Sequence, residues 1–355
     1  MLYFLIAILS FGVLIAVHEF GHFIAAKACG VRVNEFSIGM GPRLLHSTKG
    51  ETEYSLRLFP IGGFCAMEGE EEESEDERAL FKQKKWKQLI IFAAGAAMNF
   101  LIGFVIIVFL YAGAAGFYTA DIMALEPDFP QQGESGIMVG DTIYAINGER
   151  VYYKSDVELV MNLVVGDADS MEMTVLRDGE KHTCTLTKQI YRNADGTERL
   201  AYGFSYGDIV EANPLVRLKY SWYQTIDYVR LVRLSLKMLF SGSVGMKDLS
   251  GPIGIVSTIT EGGKELEETD GVAAAMENIM FFVAMIAINL AVMNLLPFPA
   301  LDGGHILFLL VGCISMLLFK REIPRKYLNV INGIGFALLM ALMLYVAVQD
   351  TIKLF

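Results

Sequence analysis

Four long stretches with almost no charge dominate this chain. Leu2 to Val17 carries no charged residue and its apolar character runs on through Phe23 to Ala26; Leu89 to Ala120 is free of charge; Val272 to Leu296 is interrupted only by Glu277; and Gly333 to Val348 closes the set. A helix rises about 1.5 Å per residue, so roughly twenty apolar residues cross about 30 Å of hydrocarbon. Four membrane crossings are the expectation. The composition agrees: 54% of the 355 residues are hydrophobic and 19% are charged, with a mean hydropathy of +0.43. The first stretch does not read as a cleaved signal peptide, because no Lys or Arg precedes it and no short apolar core leads to a cleavage site. The apolar run from His305 to Phe319 is too short for an independent span and reads as a partly inserted helix after a break.

Orientation follows from Lys and Arg in short loops. The segment between the first two spans holds ten, among them Lys27, Arg43, Arg57 and Lys87, and the connection before the last span holds Lys320, Arg321, Arg325 and Lys326. Both belong on the cytoplasmic side, which puts the large segment between the second and third spans, and both termini, outside it. A net charge of −11 argues against nucleic-acid binding, which needs a basic face. Four cysteines without C-x-x-C spacing suggest neither a disulfide framework nor a zinc ribbon, and leave the redox compartment open.

The outside segment, about residues 121–271, has the texture of a soluble domain. Gly136 to Val151 alternates apolar and polar residues between glycine turns, and Met171 to Leu176, Asp178-Gly179 and His182 to Leu186 read as a hairpin. The stretch resembles a PDZ domain, whose groove adds an extended peptide to a sheet edge. Beyond it, Leu215 to Phe240 mixes five Lys and Arg with Trp222, Tyr223, Leu231 and Leu239, the pattern of an amphipathic helix at a membrane surface.

The chemistry is concentrated in two motifs. His18-Glu19-Phe20-Gly21-His22 lies inside the first span, and on a helix its two histidines share one face, where both can bind one zinc while Glu19 serves as general base. Ionisable side chains in hydrocarbon are expensive, so such a cluster marks a functional site. A zinc also needs a third protein ligand and an open position for water. The candidate is Asp302, in Asn294-Leu-Leu-Pro-Phe-Pro-Ala-Leu-Asp-Gly-Gly-His305. Pro297 and Pro299 must break the third span there, and irregular backbone at membrane depth is tolerated only when packed in protein or lining a wet cavity.

On H-E-x-x-H at residues 18–22, N-x-x-P-x-P-x-L-D-G-G at 294–304 and the PDZ-like insert, the chain resembles the site-2 proteases, intramembrane zinc metalloproteases, and among them the PDZ-containing bacterial members that process anti-sigma factors. The resemblance covers nearly the whole chain. It implies His18, His22 and Asp302 as zinc ligands, Glu19 as catalytic acid/base, and Asn294 as a residue that binds or positions substrate; His305 reads as structural. The implied fold is a polytopic α-helical membrane protein with about four transmembrane helices, a membrane-associated β-hairpin and an extracytoplasmic PDZ-like α+β domain. Its expected divisions are residues 1–120, with the first motif and a cytoplasmic β-loop; 121–210, PDZ-like; 211–271, an amphipathic membrane-surface region; and 272–355, with the second motif. Implied partners are the lipid bilayer and single-span membrane proteins already trimmed by another protease, such as anti-sigma factors or remnant signal peptides, in a bacterial inner membrane. Lys27 lies five residues past His22, about 7 Å along a helix, so the site is expected near the cytoplasmic face.

Two further stretches are similar to the family. Phe36 to Pro42 and Tyr54 to Phe64 alternate as a hairpin does, where the family has a β-loop that holds substrate extended. Gly95-Ala-Ala-Met-Asn99 matches the family's G-P-x-x-N except for Ala96, where proline is usual. The acidic run from Glu68 to Glu77 reads as a solvated loop. Two other readings are disfavoured. A membrane-anchored zincin with a soluble catalytic domain would carry its histidine motif outside an apolar span, and a PDZ scaffold with structural metal would not need Glu19.

Overall fold

The computed structural model describes residues 2–70, 72, 74–192, 196–243, 245, 251–321 and 324–354. In chain order the elements are helix α1 (Leu2–Cys29), strands β1 (Val33–Lys49) and β2 (Thr52–Met67), and helix α2 (Lys85–Leu110). Then come β3 (Gly116–Tyr118), β4 (Ile122–Leu125), β5 (Thr142–Ile146), β6 (Glu149–Arg150), α3 (Lys154–Val160), β7 (Ser170–Arg177), β8 (Glu180–Thr187), β9 (Gln189–Arg192), β10 (Glu198–Ala201), β11 (Phe204–Tyr206) and β12 (Ile209–Glu211). Four helices finish the chain: α4 (Pro214–Ser241), α5 (Pro252–Asn294), α6 (Asp302–Phe319) and α7 (Arg325–Leu354). Two compact units result, one comprising Met1–Ile107 with Leu239–Phe355 and the other Val108–Met238.

Among the described residues, five helical stretches are long and apolar enough to cross a membrane: Leu2–Cys29, Lys85–Gly113, Ile253–Asn294, Asp302–Phe319 and Lys326–Lys353. Helix α1 stops at a left-handed Gly30, where Val31 N–H reaches Ala26 O and Gly30 N–H reaches Lys27 O, the double closure that a C-terminal glycine permits. Asp302–Phe319, whose apolar run reads from the sequence as too short for an independent span, forms an 18-residue helix with the length and composition of one. Two of the expected spans also differ from the hydropathy reading. The second leaves the α-helix at Leu110, turns through a 3-10 segment and becomes β3, because hydropathy alone does not separate helix from an apolar strand flanked by glycines. The third is preceded by a further helical stretch from Pro252, joined to it at Gly271, whose φ of 88° interrupts the helix. Helices α1 and α5 pack through Tyr3, Ala7 and Leu14 against Ile259, Ile279 and Val283, all buried.

Strands β1 and β2 pair antiparallel from Val33 opposite Met67 and again from Lys49 opposite Thr52, while residues 35–38 take second neighbours in 53–56. Gly12 of α1 lets this ribbon lie directly on the helix, since a Cβ there would sit 2.1 Å from Pro60 O. Within the acidic run Glu71 and Glu73 lie outside the described residues. Glu68, however, accepts hydrogen bonds from Asn34 and Ser74, and Asp76 pairs with Arg32, so part of that run is fastened rather than freely solvated.

The second unit is built around a four-stranded sheet in the order β6-β5-β7-β8. The β7–β8 hairpin turns at Asp178 and Gly179, both left-handed, as the Asp-Gly pair signals. Its core is Ile143, Ile146, Val157, Met173, Val175 and Leu186. Helix α4 belongs to it through Tyr220, stacked 4.4 Å from Phe117, and through buried Arg230, 2.8 Å from Asp156 and 3.0 Å from Asp227. The same helix leaves Leu215, Leu218 and Trp222 exposed on one stripe.

Candidate metal centre and active site

His18 and His22 are one turn apart on α1, with Nε2 atoms 3.2 Å from each other. Asp302, the first residue of α6, brings Oδ2 to 3.1 Å from His18 Nε2 and 3.4 Å from His22 Nε2. The three atoms form a nearly equilateral triangle, and the Asp302 oxygen is buried with no hydrogen-bond partner. Zinc bonds of about 2.0–2.1 Å in a tetrahedron require ligand atoms roughly 3.3–3.4 Å apart. The donor set therefore fits a tetrahedral zinc with its fourth position free. It is the one group of three or more metal-binding side chains found among the described residues.

The surrounding chain explains why the triangle is there. His22 Nδ1 donates to Ile91 O at 2.7 Å, which turns Nε2 toward the other two ligands. Gly95 of α2 faces the rings, and a Cβ on it would lie 2.4 Å from His22 Nε2 and 2.7 Å from His18 Nε2. Gly21 allows the close approach of α1 and α2, since its Cβ would meet Ala94 O at 2.4 Å. Asp302 is delivered by a tight loop. Cβ atoms on Gly303 and Gly304 would sit 2.2 Å from Leu296 O and 2.3 Å from Phe298 O. Ala300 adopts a left-handed φ of 73°, and its N–H is taken by Asn332 of α7. Gly335 of α7 backs directly onto Pro299.

Glu19 sits beside the triangle on α1, its carboxylate accepting a backbone hydrogen bond from Cys65 of β2, with Gly63 of the same strand against its side chain. A cavity of about 350 Å³ is lined by His18, Glu19, Asn99, Asn294, Leu301 and Asp302. Asn99 and Asn294 each bring an amide nitrogen to 3.4 Å from His18 Nδ1. All five residues singled out from the sequence thus meet within one unit: His18, Glu19, His22, Asn294 and Asp302. His305 stands apart from the cavity wall, stacked 5.1 Å from Phe92. Sequence reasoning matched Gly95 and Asn99 to a family motif without giving either a role, and singled out neither Asn332 nor Gly335. A polar Asn99 in an otherwise uncharged span was the available signal for one of them.

Comparison with known proteins converges on the same chemistry. The profile of peptidase family M50 matches residues 6–342. A Clostridium perfringens protein carrying a provisional zinc-metalloprotease name is 36% identical over 352 residues, covering 99% of both chains. The regulator of sigma-W protease RasP of Bacillus subtilis is 27% identical over 430 residues, covering 98% of both, and the zinc metalloprotease RasP of Bacillus licheniformis matches to the same extent. With two histidines and an aspartate converging beside a glutamate inside apolar helices, and a family match over almost the whole length, the chain belongs to peptidase family M50, the site-2 protease family of zinc metalloproteases.

Proposed function

We propose that this zinc metalloprotease hydrolyses peptide bonds in or near the transmembrane segments of single-span membrane proteins. The observation that carries the reading is the His18–His22–Asp302 triangle with Glu19 beside it, built from helices apolar enough to lie in a bilayer. Zinc held by these three side chains supplies a Lewis acid for the scissile carbonyl and lowers the pKa of water toward neutrality. Glu19 takes the proton of the attacking water and passes it to the departing amine. Asn294, on the cavity wall, orients the substrate backbone. A transmembrane helix hides its carbonyls in hydrogen bonds, so it must unwind before attack; the edge of β2 near Glu19 holds the unwound stretch by strand addition.

Four full crossings, with α6 inserted partway, put the site near the cytoplasmic face and the second unit outside. That unit acts as a PDZ-like filter that admits substrates already shortened by another protease. The name of the Bacillus subtilis relative ties it to sigma-W, and a membrane-anchored anti-sigma factor is the matching substrate class here. The test is the purified full chain in detergent with a single-span test substrate. One zinc per chain and a new terminus within the substrate's apolar segment are expected, with cleavage reduced about 10²- to 10⁴-fold in Glu19→Gln while zinc stays bound. Full cleavage by Glu19→Gln refutes the assignment of the base.

A further inference from the structure

We infer that Asn99 is a positioning residue whose amide oxygen accepts the Nδ1–H of His18 and thereby fixes the tautomer in which Nε2 faces the metal. The inference rests on the zinc reading above and adds a residue to it. An imidazole that ligates through Nε2 must carry its proton on Nδ1. His22 meets this requirement through Ile91 O. For His18 no carbonyl plays that part; its Nδ1 faces two amides, Asn99 and Asn294, both at 3.4 Å. An amide nitrogen is a donor, and two donors facing an N–H are unsatisfied on both sides. The oxygen and nitrogen of an asparagine amide exchange places by a half-turn about the last side-chain bond, and the hydrogen-bond network decides between them.

Burial assigns the task between the two residues. Asn99 is 1% exposed, and its Oδ1 is buried without a hydrogen-bond partner. Turning this amide brings the orphaned acceptor to the donor that lacks one. Asn294 is only half-buried on the wall of the cavity, where a substrate carbonyl can take its amide N–H. One asparagine serves the metal ligand and the other the substrate. Gly95, one turn before Asn99 on α2, already opens space for the two rings, so a single helix face provides both room and orientation for them.

The experiment measures zinc affinity of the full chain in detergent by chelator competition. Asn99→Leu keeps the volume and removes the acceptor, and is expected to weaken zinc binding about 10- to 100-fold. Asn99→Asp keeps an acceptor and is expected to stay within about threefold of the original protein. Asn294→Leu is expected to raise KM with zinc affinity unchanged. Original affinity in Asn99→Leu, equal loss in Asn99→Asp, or the same zinc loss in Asn294→Leu each overturns the inference. Nitrogen NMR of the unsubstituted, zinc-loaded protein reads the tautomer even where a variant does not fold: a protonated Nδ1 with metal on Nε2 of His18 supports it, and the reverse overturns it. Absence of zinc from the unsubstituted chain is a different result, which removes the protease reading itself.

Discussion

Adding one methyl group at Gly95 should cripple zinc binding while leaving the helices in place. The new Cβ would lie 2.4 Å from His22 Nε2 and 2.7 Å from both Cε1 and Nε2 of His18. Ordinary contact needs about 3.5 Å, so the rings must withdraw by on the order of 1 Å. Parting α1 from α2 offers no easy relief, because Gly21 and Ala94 already touch backbone to backbone. Disturbing the orientation of metal ligands costs about 10- to 100-fold in metal affinity, at the upper end about 2.7 kcal/mol. The assay is chelator competition together with thermal unfolding at several zinc concentrations, since a ligand that binds only the folded chain raises its stability by RT ln(1 + [L]/Kd). Gly113→Ala is the control, as its Cβ meets nothing within 4 Å. Should Gly95→Ala bind zinc as tightly as the control, the placement of the rings against α2 is wrong.

Other perturbations have equally definite outcomes. Gly303→Ala puts a Cβ 2.2 Å from Leu296 O and 2.4 Å from Leu295 O, both backbone atoms, so the loop must move and carry Asp302 off the triangle; zinc stoichiometry should fall together with cleavage, and unchanged values refute the tight-loop argument. In the second unit, burial and the adjacent Asp156 carboxylate push Asp227 up to about 9, as one Arg230 faces two acids. A carboxyl raised in the folded state gives stability that is complete below its unfolded pKa, about 3.9, and is lost as pH rises through about 9. Unfolding followed through Trp222, with Trp86→Phe to isolate it, should therefore shift to lower temperature between pH 6 and pH 10, and Asp227→Asn should flatten that shift; equal pH dependence in both proteins contradicts the assignment.

The parts of the site that sequence exposes are those written as spacing. An i, i+4 pair of histidines fixes a shared helical face whatever the tertiary structure, and the prolines of residues 297 and 299 keep α5 from running on, so that face and the end of α5 could be read directly. What Gly95 and Gly335 face was opaque, although Gly95 falls in a stretch similar to a family motif, because a glycine in a helix states only that something comes close, and what comes close is set by another element far along the chain. Pro252 to Asp270 was read as surface rather than as the forerunner of α5, since its Glu and Lys residues favour helix but depress hydropathy. Asp350 was passed over too. It is buried and accepts the N–H groups of Gly251 and Gly254 at the start of α5, a long-range cap invisible to local pattern.

X-ray absorption at the zinc edge, recorded on the full chain and on Asp302→Ala, goes straight to the coordination itself. Two nitrogen and one or two oxygen neighbours at about 2.0–2.1 Å, without sulfur, are expected for the unsubstituted protein, with zinc largely lost on chelator challenge in the variant. A sulfur neighbour, or an unaltered first coordination sphere in Asp302→Ala, would contradict a metal clasped between α1 and the start of α6.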